Sequence, residues 1–303
     1  MKRLLDYSIT LVILLILSFY LPRLIPGDPV SAIFGEEAIA NMSENMIADI
    51  RNKMGLDRPL WFQFLIFLRN IFRGDLGYSY YYREYVIDII RQSFPWTLSL
   101  IGVSLSISSI LGFLLGLNAS YRVGSNYDRV SFIAMVAISS LPEFLVGIIL
   151  LVIFAINLKI LPASFSLSPS IFKAFLLPCI SLICVDFPNS YITTRNLAVS
   201  IVKERFIQTA KAKLKSDRRI KYVHIGRNVL YPVITRFLLR LSHLFFGVIF
   251  IEVVFSYPGI GMTLYTSIIH RDYAFVQICV LLMSFIIVTI NMITEYLFAG
   301  GRT

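Results

Sequence analysis

Two carboxylates in this chain stand where a charge is expensive. Glu143 follows Pro142 and Asp186 precedes Pro188, each inside a long apolar run. A charge at the middle of a bilayer costs at least about 2.5–3.5 kcal/mol, so such a residue faces a watery cavity or meets an opposite charge. The chemistry open to them is recognition of a cationic solute group. Backbone carbonyls freed by the two prolines could serve as further acceptors. Arg195, Arg236 and Arg240 are the cations that could instead neutralise them. A third carboxylate, Glu252, stands at the end of a later apolar run, before Ser256-Tyr-Pro-Gly-Ile-Gly261. Pro258, Gly259 and Gly261 make a tight turn there. By residue type alone it is a plain connection, and Glu143, Asp186 and Glu252 are the carboxylates that could line a path through the membrane.

Catalytic and metal chemistry have no comparable support. The chain contains no Gly-Lys pair, hence no phosphate-cradling loop, and it carries no metalloprotease or kinase signature. Cys179, Cys184 and Cys279 lie in apolar runs with no paired spacing and no histidine beside them. That pattern fits small buried hydrophobes better than disulfides or metal ligands. His224, His243 and His270 fall at three different depths. No enzyme activity, metal or cofactor is expected in this chain itself.

The elements that position these residues must be membrane helices. Of 303 residues, 57% are hydrophobic and only 15% charged, and the mean hydropathy is +0.75. Soluble proteins run at roughly 45–50% apolar and about 25% charged. The net charge of +10 fits Lys and Arg collected in loops that set orientation, not a nucleic-acid surface. A spanning helix needs about 20 mostly apolar residues. Six segments qualify: Leu4–Leu21, Thr97–Ala119, Val130–Leu158, Ile171–Tyr191, Val229–Phe255 and Ala274–Phe298. The third contains Pro142 and is expected to kink. The first has no small-residue cleavage site after it and reads as a retained span.

Positive charge concentrates between spans two and three and between spans four and five, which puts both termini in the cytoplasm. The region 23–95 is then external, following an N-terminal span at 1–22. Ser43 caps a helix running to Gly55. Leu60–Phe72 is apolar but too short to span, so it lies in the interface or packs on the bundle. Residues 96–303 form a five-span core.

Within that core, about 199–228, lies a basic amphipathic stretch. Ile201, Val202, Phe206, Ala210 and Leu214 recur at helical spacing as one apolar face, with Thr209 and Ala212 as a strip of small residues. Such a helix either lies on anionic lipid or inserts into a groove on a partner.

The stretch Glu204-Arg-Phe-Ile-Gln-Thr-Ala-Lys-Ala-Lys213 resembles the coupling loop of binding-protein-dependent ABC importer permeases. Around it stand Arg73-Gly-Asp-Leu-Gly-Tyr-Ser79, Leu161-Pro-Ala-Ser164, Glu252 to Gly261 and Arg271-Asp-Tyr273. In this order they are similar to the dipeptide/oligopeptide/nickel permease family, first of its two permease subunits. The resemblance implies an all-α, six-span type I ABC importer permease in a bacterial or archaeal plasma membrane. Its partners would be a second, similar permease, two cytoplasmic ATPases that bind ATP and Mg, and an external solute-binding protein. Glu204, Phe206, Thr209, Ala210, Lys213, Leu214 and Ser216 would contact the ATPase. Relatives usually carry glycine where this chain has Leu214, and the resemblance implies that the loop with Pro258, Gly259 and Gly261 faces the external mouth near the binding protein. Peptides are the expected solute, with nickel or a metal chelate as the alternative. A secondary transporter or channel subunit working without ATPases is the reading from a different class.

Overall fold

The computed structural model describes residues 2–24, 28–167, 170–213 and 216–299. Helix α1 (Lys2–Arg23) is followed by three short helices, α2 (Pro29–Phe34), α3 (Glu36–Ala40) and α4 (Glu44–Lys53). Asp28 caps α2 by accepting from the Ser31 N–H, and Pro29 sits at the first helical position, where no N–H is needed. Ser43 caps α4 through the Met46 N–H, at the expected position. Helix α5 (Leu60–Phe72) precedes a minimal hairpin, β1 (Tyr78–Ser79) and β2 (Glu84–Tyr85), which pairs Tyr78 with Tyr85.

Nine further α-helices follow among the described residues. Helix α6 (Val86–Tyr121) has 36 residues. At 1.5 Å per residue it measures about 54 Å, well beyond a hydrocarbon core of about 30 Å. It starts eleven residues before the expected second span. Next come α7 (Asn126–Ser139), α8 (Glu143–Leu151), α9 (Ile171–Val202), α10 (Arg205–Ala212), α11 (Asp217–Arg219), α12 (Gly226–Val254), α13 (Ile260–Ile269) and α14 (Tyr273–Ala299). Five helices among the described residues are long and apolar enough to cross a membrane, and six spans result if one bent pair counts as one.

That bent pair corrects the third expected span. It does not kink but breaks: α7 and α8 meet at 96°. Pro142 is the N-cap of α8, with an extended ψ of 141°. Proline supplies no N–H and keeps the residue before it out of the α region, so the helix ends at Ser139 and restarts at Glu143. A π-helical turn over Val152–Asn157 extends α8. The fourth expected span also falls short, since α9 runs on to Val202.

The chain divides into two compact units. One comprises Met1–Trp96 and Pro258–Thr289, the other Thr97–Tyr257 and Ile290–Thr303. In the first, α5 packs on α1. Phe19 is fully buried, with its ring 5.2 Å from Phe64 and 5.4 Å from Phe67. The Arg23 guanidinium covers Phe19 at 3.6 Å and reaches Gln277 Oε1 at 3.2 Å. The buried Asp272 accepts from the Ser79 hydroxyl and so ties the hairpin down.

In the second unit, α6 and α9 cross almost backbone to backbone. Gly112 and Gly116 lie against Ser190, Tyr191 and Thr194, and a Cβ on Gly116 would stand 2.9 Å from Tyr191 O. This is the small-xxx-small approach that membrane helices use in place of a hydrophobic driving force. Helix α7 is clamped to α9 by Arg195, whose Nε and Nη2 reach the two Asp128 oxygens at 2.8 and 2.7 Å.

Candidate functional site

The basic stretch is a chain of short pieces. Helix α9 stops at Val202. Glu204 is the N-cap of α10, in extended conformation, with its carboxylate at the positive end of the helix dipole. Ser216 caps α11 through the Arg219 N–H. A π-helical turn over Ile220–Ile225 then leads into α12. The sequence places one break in this stretch, near Lys215; the structure has an earlier one at Lys203-Glu204.

The earlier break changes which face is buried. Ile207 is fully buried and Ala210 is 6% exposed, whereas Phe206 is 45% exposed. The expected apolar face through Ile201, Val202, Phe206 and Ala210 assumed one continuous helix. With the helix broken, the register of α9 does not carry into α10, and Phe206 turns outward. Ile207 and Ala210 join Leu117, Ala198, Ile220, Ile225, Val229 and Val233 in one core. Thr209 is exposed, with its hydroxyl donating to Arg205 O at 3.0 Å. Lys213 closes α10 and is exposed. Leu214 lies outside the described residues.

Tyr121, at the end of α6, holds the stretch in place and was missed from sequence. Its hydroxyl donates to Asp217 Oδ1 at 2.6 Å, and Lys211 lies over its ring at 4.9 Å. Lys221 donates to Asn118 Oδ1 at 3.1 Å. A lone tyrosine at a helix end gave no signal, because its partners lie some 90 residues further along.

The expected path residues separate. A cavity of about 390 Å³ is lined by Glu143, Asp186, Asn189, Arg236, Arg240 and His243, among others. Glu143 stands at the first turn of α8, its carboxylate against the backbone of α12 at Gly247, where any Cβ would overlap it. Asp186 is paired: Arg240 Nη1 approaches its Oδ1 at 3.2 Å, and Ser108 donates to its other oxygen. Arg240 Nη2 also donates to Ser190 Oγ at 3.0 Å. Asp186 is therefore one half of a buried ion pair at the cavity wall. Glu252 does not line the cavity. It is fully buried and accepts from the Thr97 hydroxyl at 2.6 Å.

The turn after α12 is tight, but the glycines do not make it so. The Tyr257 N–H returns to Glu252 O at 2.8 Å, and the left-handed conformation falls on Ser256, with φ 47°. Pro258 precedes Gly259, which is the N-cap of α13 with an ordinary φ of −95°. Gly261 is buried in the first turn of that helix. The expected loop is thus the start of a ten-residue helix.

Comparison with known proteins agrees with this architecture. A family model described as binding-protein-dependent transport system inner membrane component matches residues 108–299, and the corresponding N-terminal model matches residues 1–101. The di/tripeptide transport system permease protein DppB of Pseudomonas aeruginosa (strain UCBPP-PA14) is 32% identical, over 93% of this chain and 91% of that protein. The glutathione transport system permease protein GsiC of Escherichia coli (strain K12) is 33% identical, over 99% of this chain and 95% of its own length. The protein of the same name from Salmonella typhi is 33% identical, over 99% and 96%.

Proposed function

Because the chain belongs to the family of binding-protein-dependent transport system inner membrane components, we propose that it forms half of the path of an ATP-driven importer of short peptides. That it is a membrane permease subunit of a binding-protein-dependent transport system follows from the family. The peptide is favoured over nickel or a metal chelate by the di/tripeptide and glutathione carriers among its relatives. The rest of the assembly would be a second permease, two ATPases that bind ATP and Mg, and an external binding protein. Both termini and α10 would face the cytoplasm, where the Lys and Arg of the short loops belong.

The observation that carries the docking role is the orientation of α10. A helix resting on lipid offers its apolar face to the membrane. Here that face, Ile207 and Ala210, is already covered by the chain's own core. What remains exposed is Phe206, Thr209 and a set of basic side chains. A single aromatic on a polar, cationic surface suits a pocket in a protein partner. A push delivered there passes through Ile207 and Ala210 to Ala198 on α9 and Val229 on α12, the helices that carry Asp186 and Arg240. In this reading ATP binding closes the ATPase pair, α10 is displaced, and the cavity changes the side to which it opens.

The test is co-purification of the subunits followed by reconstitution in liposomes with the binding protein. ATP-dependent uptake of a di- or tripeptide is expected. Uptake that proceeds without ATP, or a chain that purifies with no nucleotide-binding subunit, would refute the proposal.

A further inference from the structure

The cavity beside Glu143 is not electrically uniform. Asp186 is already matched by Arg240 and Ser108. Glu143 is not: among the described residues no hydrogen bond or ion pair reaches its carboxylate, which is only partly exposed. Arg236 and His243 likewise make no such contact among the described residues, and both line the same cavity.

The backbone orders these groups. Positions 236, 240, 243 and 247 of α12 fall within about 60° of one another at 3.6 residues per turn, so they form one stripe along the cavity. Glu143 marks the Gly247 end and Arg236 the other, eleven residues or about 16 Å away along the axis. Between them lies the matched pair, which adds no net charge. The cavity therefore has an unmatched anion at one end and an unmatched cation at the other.

We propose that Glu143 receives the terminal ammonium of a peptide in transit and that Arg236 receives its terminal carboxylate. This rests on the peptide-importer reading above and names the groups of the peptide that the site reads. An extended chain advances at most about 3.3–3.6 Å per residue, so about five residues cover the distance between the backbone positions, and a tripeptide bridges the ends only with the long Arg236 side chain reaching into the cavity toward it. Arg236 presents a planar fork suited to a carboxylate. Asn189 and His243 line the interval and can meet peptide amides. A bare metal ion would find one free carboxylate and a nearby guanidinium, a poor ligand set.

The experiment uses the complete reconstituted complex with its binding protein, trapped by vanadate, and measures retained labelled peptide. The probes are trialanine, N-acetyl-trialanine and trialanine amide, presented to wild type, Glu143→Gln and Arg236→Gln. N-acetylation should lower retention at least about tenfold in wild type and less than about twofold in Glu143→Gln, the coupling expected of a direct contact. Amidation should behave the same way toward Arg236→Gln. Any preference of the binding protein cancels, because one binding protein serves every variant. Glu143→Asp keeps the charge one methylene further back; it should retain part of the coupling and provides the cycle if the Gln variant does not assemble. Full sensitivity to N-acetylation in both Glu143 variants, or none in wild type, overturns the Glu143 assignment, and undiminished sensitivity to amidation in Arg236→Gln overturns that of Arg236. Failure of wild type to import trialanine with ATP would instead overturn the peptide-importer reading.

Discussion

The Asp186–Arg240 pair offers the sharpest test of the packing around the cavity. Asp186 is 4% exposed and Arg240 15% exposed at the side chain, and their closest approach is 3.2 Å. Removing one partner of a buried pair costs about 3–5 kcal/mol, because the other charge is left uncompensated. Asp186→Asn keeps the size and can still bond Ser108, but strands a guanidinium that cannot shed its proton. Arg240→Met strands the carboxylate. Replacing both removes the two desolvated charges together and should recover most of the loss. At about 2–4 °C per kcal/mol for a region of this size, each single change should lower the melting temperature by about 6–20 °C. The double variant should fall by much less than the sum. The assay is thermal melting of the detergent-solubilised complex, followed by fluorescence-detected size exclusion. Single variants that melt like wild type, or a double variant whose loss equals the sum of the two, would refute the claim that these charges neutralise one another.

Four further outcomes follow from the same geometry. Phe206→Ala should leave the melting temperature within the range of surface changes, about 0.5 kcal/mol, while abolishing the stimulation of ATP hydrolysis by loaded binding protein. Ile207→Ala, one residue on, should cost about 2–5 kcal/mol by emptying part of a core, and should be read in melting first. Gly247→Ala should displace the Glu143 carboxylate and weaken peptide retention with the charge unchanged, measured in the trapped complex. Burial pushes the Asp272 carboxyl above its usual range, only partly opposed by the Ser79 hydroxyl and nearby backbone N–H groups. The folded state therefore holds this proton to higher pH than the unfolded one, so the contribution is present at low pH and is lost as pH rises through the raised value. Melting of wild type between pH 4 and 7, a window set by the ordinary carboxylate range of about 4, should show a decline with pH that Asp272→Asn lacks.

Much of the fold can be read in the chain because hydropathy is a strong signal over 20 residues and caps are local. Ser43 and the apolar runs beginning at Leu4, Thr97, Ile171 and Ala274 are cases in point. What was not legible depended on breaks and on distant partners. Pro142 reads equally as a kink or as an end, and only packing decides that α8 restarts at 96° to α7. Phe206 falls at helical spacing between Val202 and Ala210, so pattern alone turned it inward, whereas the stop at Lys203 reset the register and buried Ile207 instead. Arg240 could snorkel or pair; its partner lies 54 residues earlier, beyond the reach of any periodicity. The spacing of Gly112 and Gly116, by contrast, is a local pattern of the small-xxx-small type.

Those two glycines also constrain how the protein can move. With no side chain between the backbones, α6 and α9 have no room to roll past each other at that crossing. Each can turn only by carrying the other, so around Gly112 they behave as one girder with two flanges. Helix α9 has 32 residues and is about 48 Å long, so a tilt of a few degrees at its Val202 end sweeps its far end through several ångströms, and α6 follows. Any relative displacement must then be taken up where the chain is not welded, and the right-angled joint at Ser140–Pro142 is such a place.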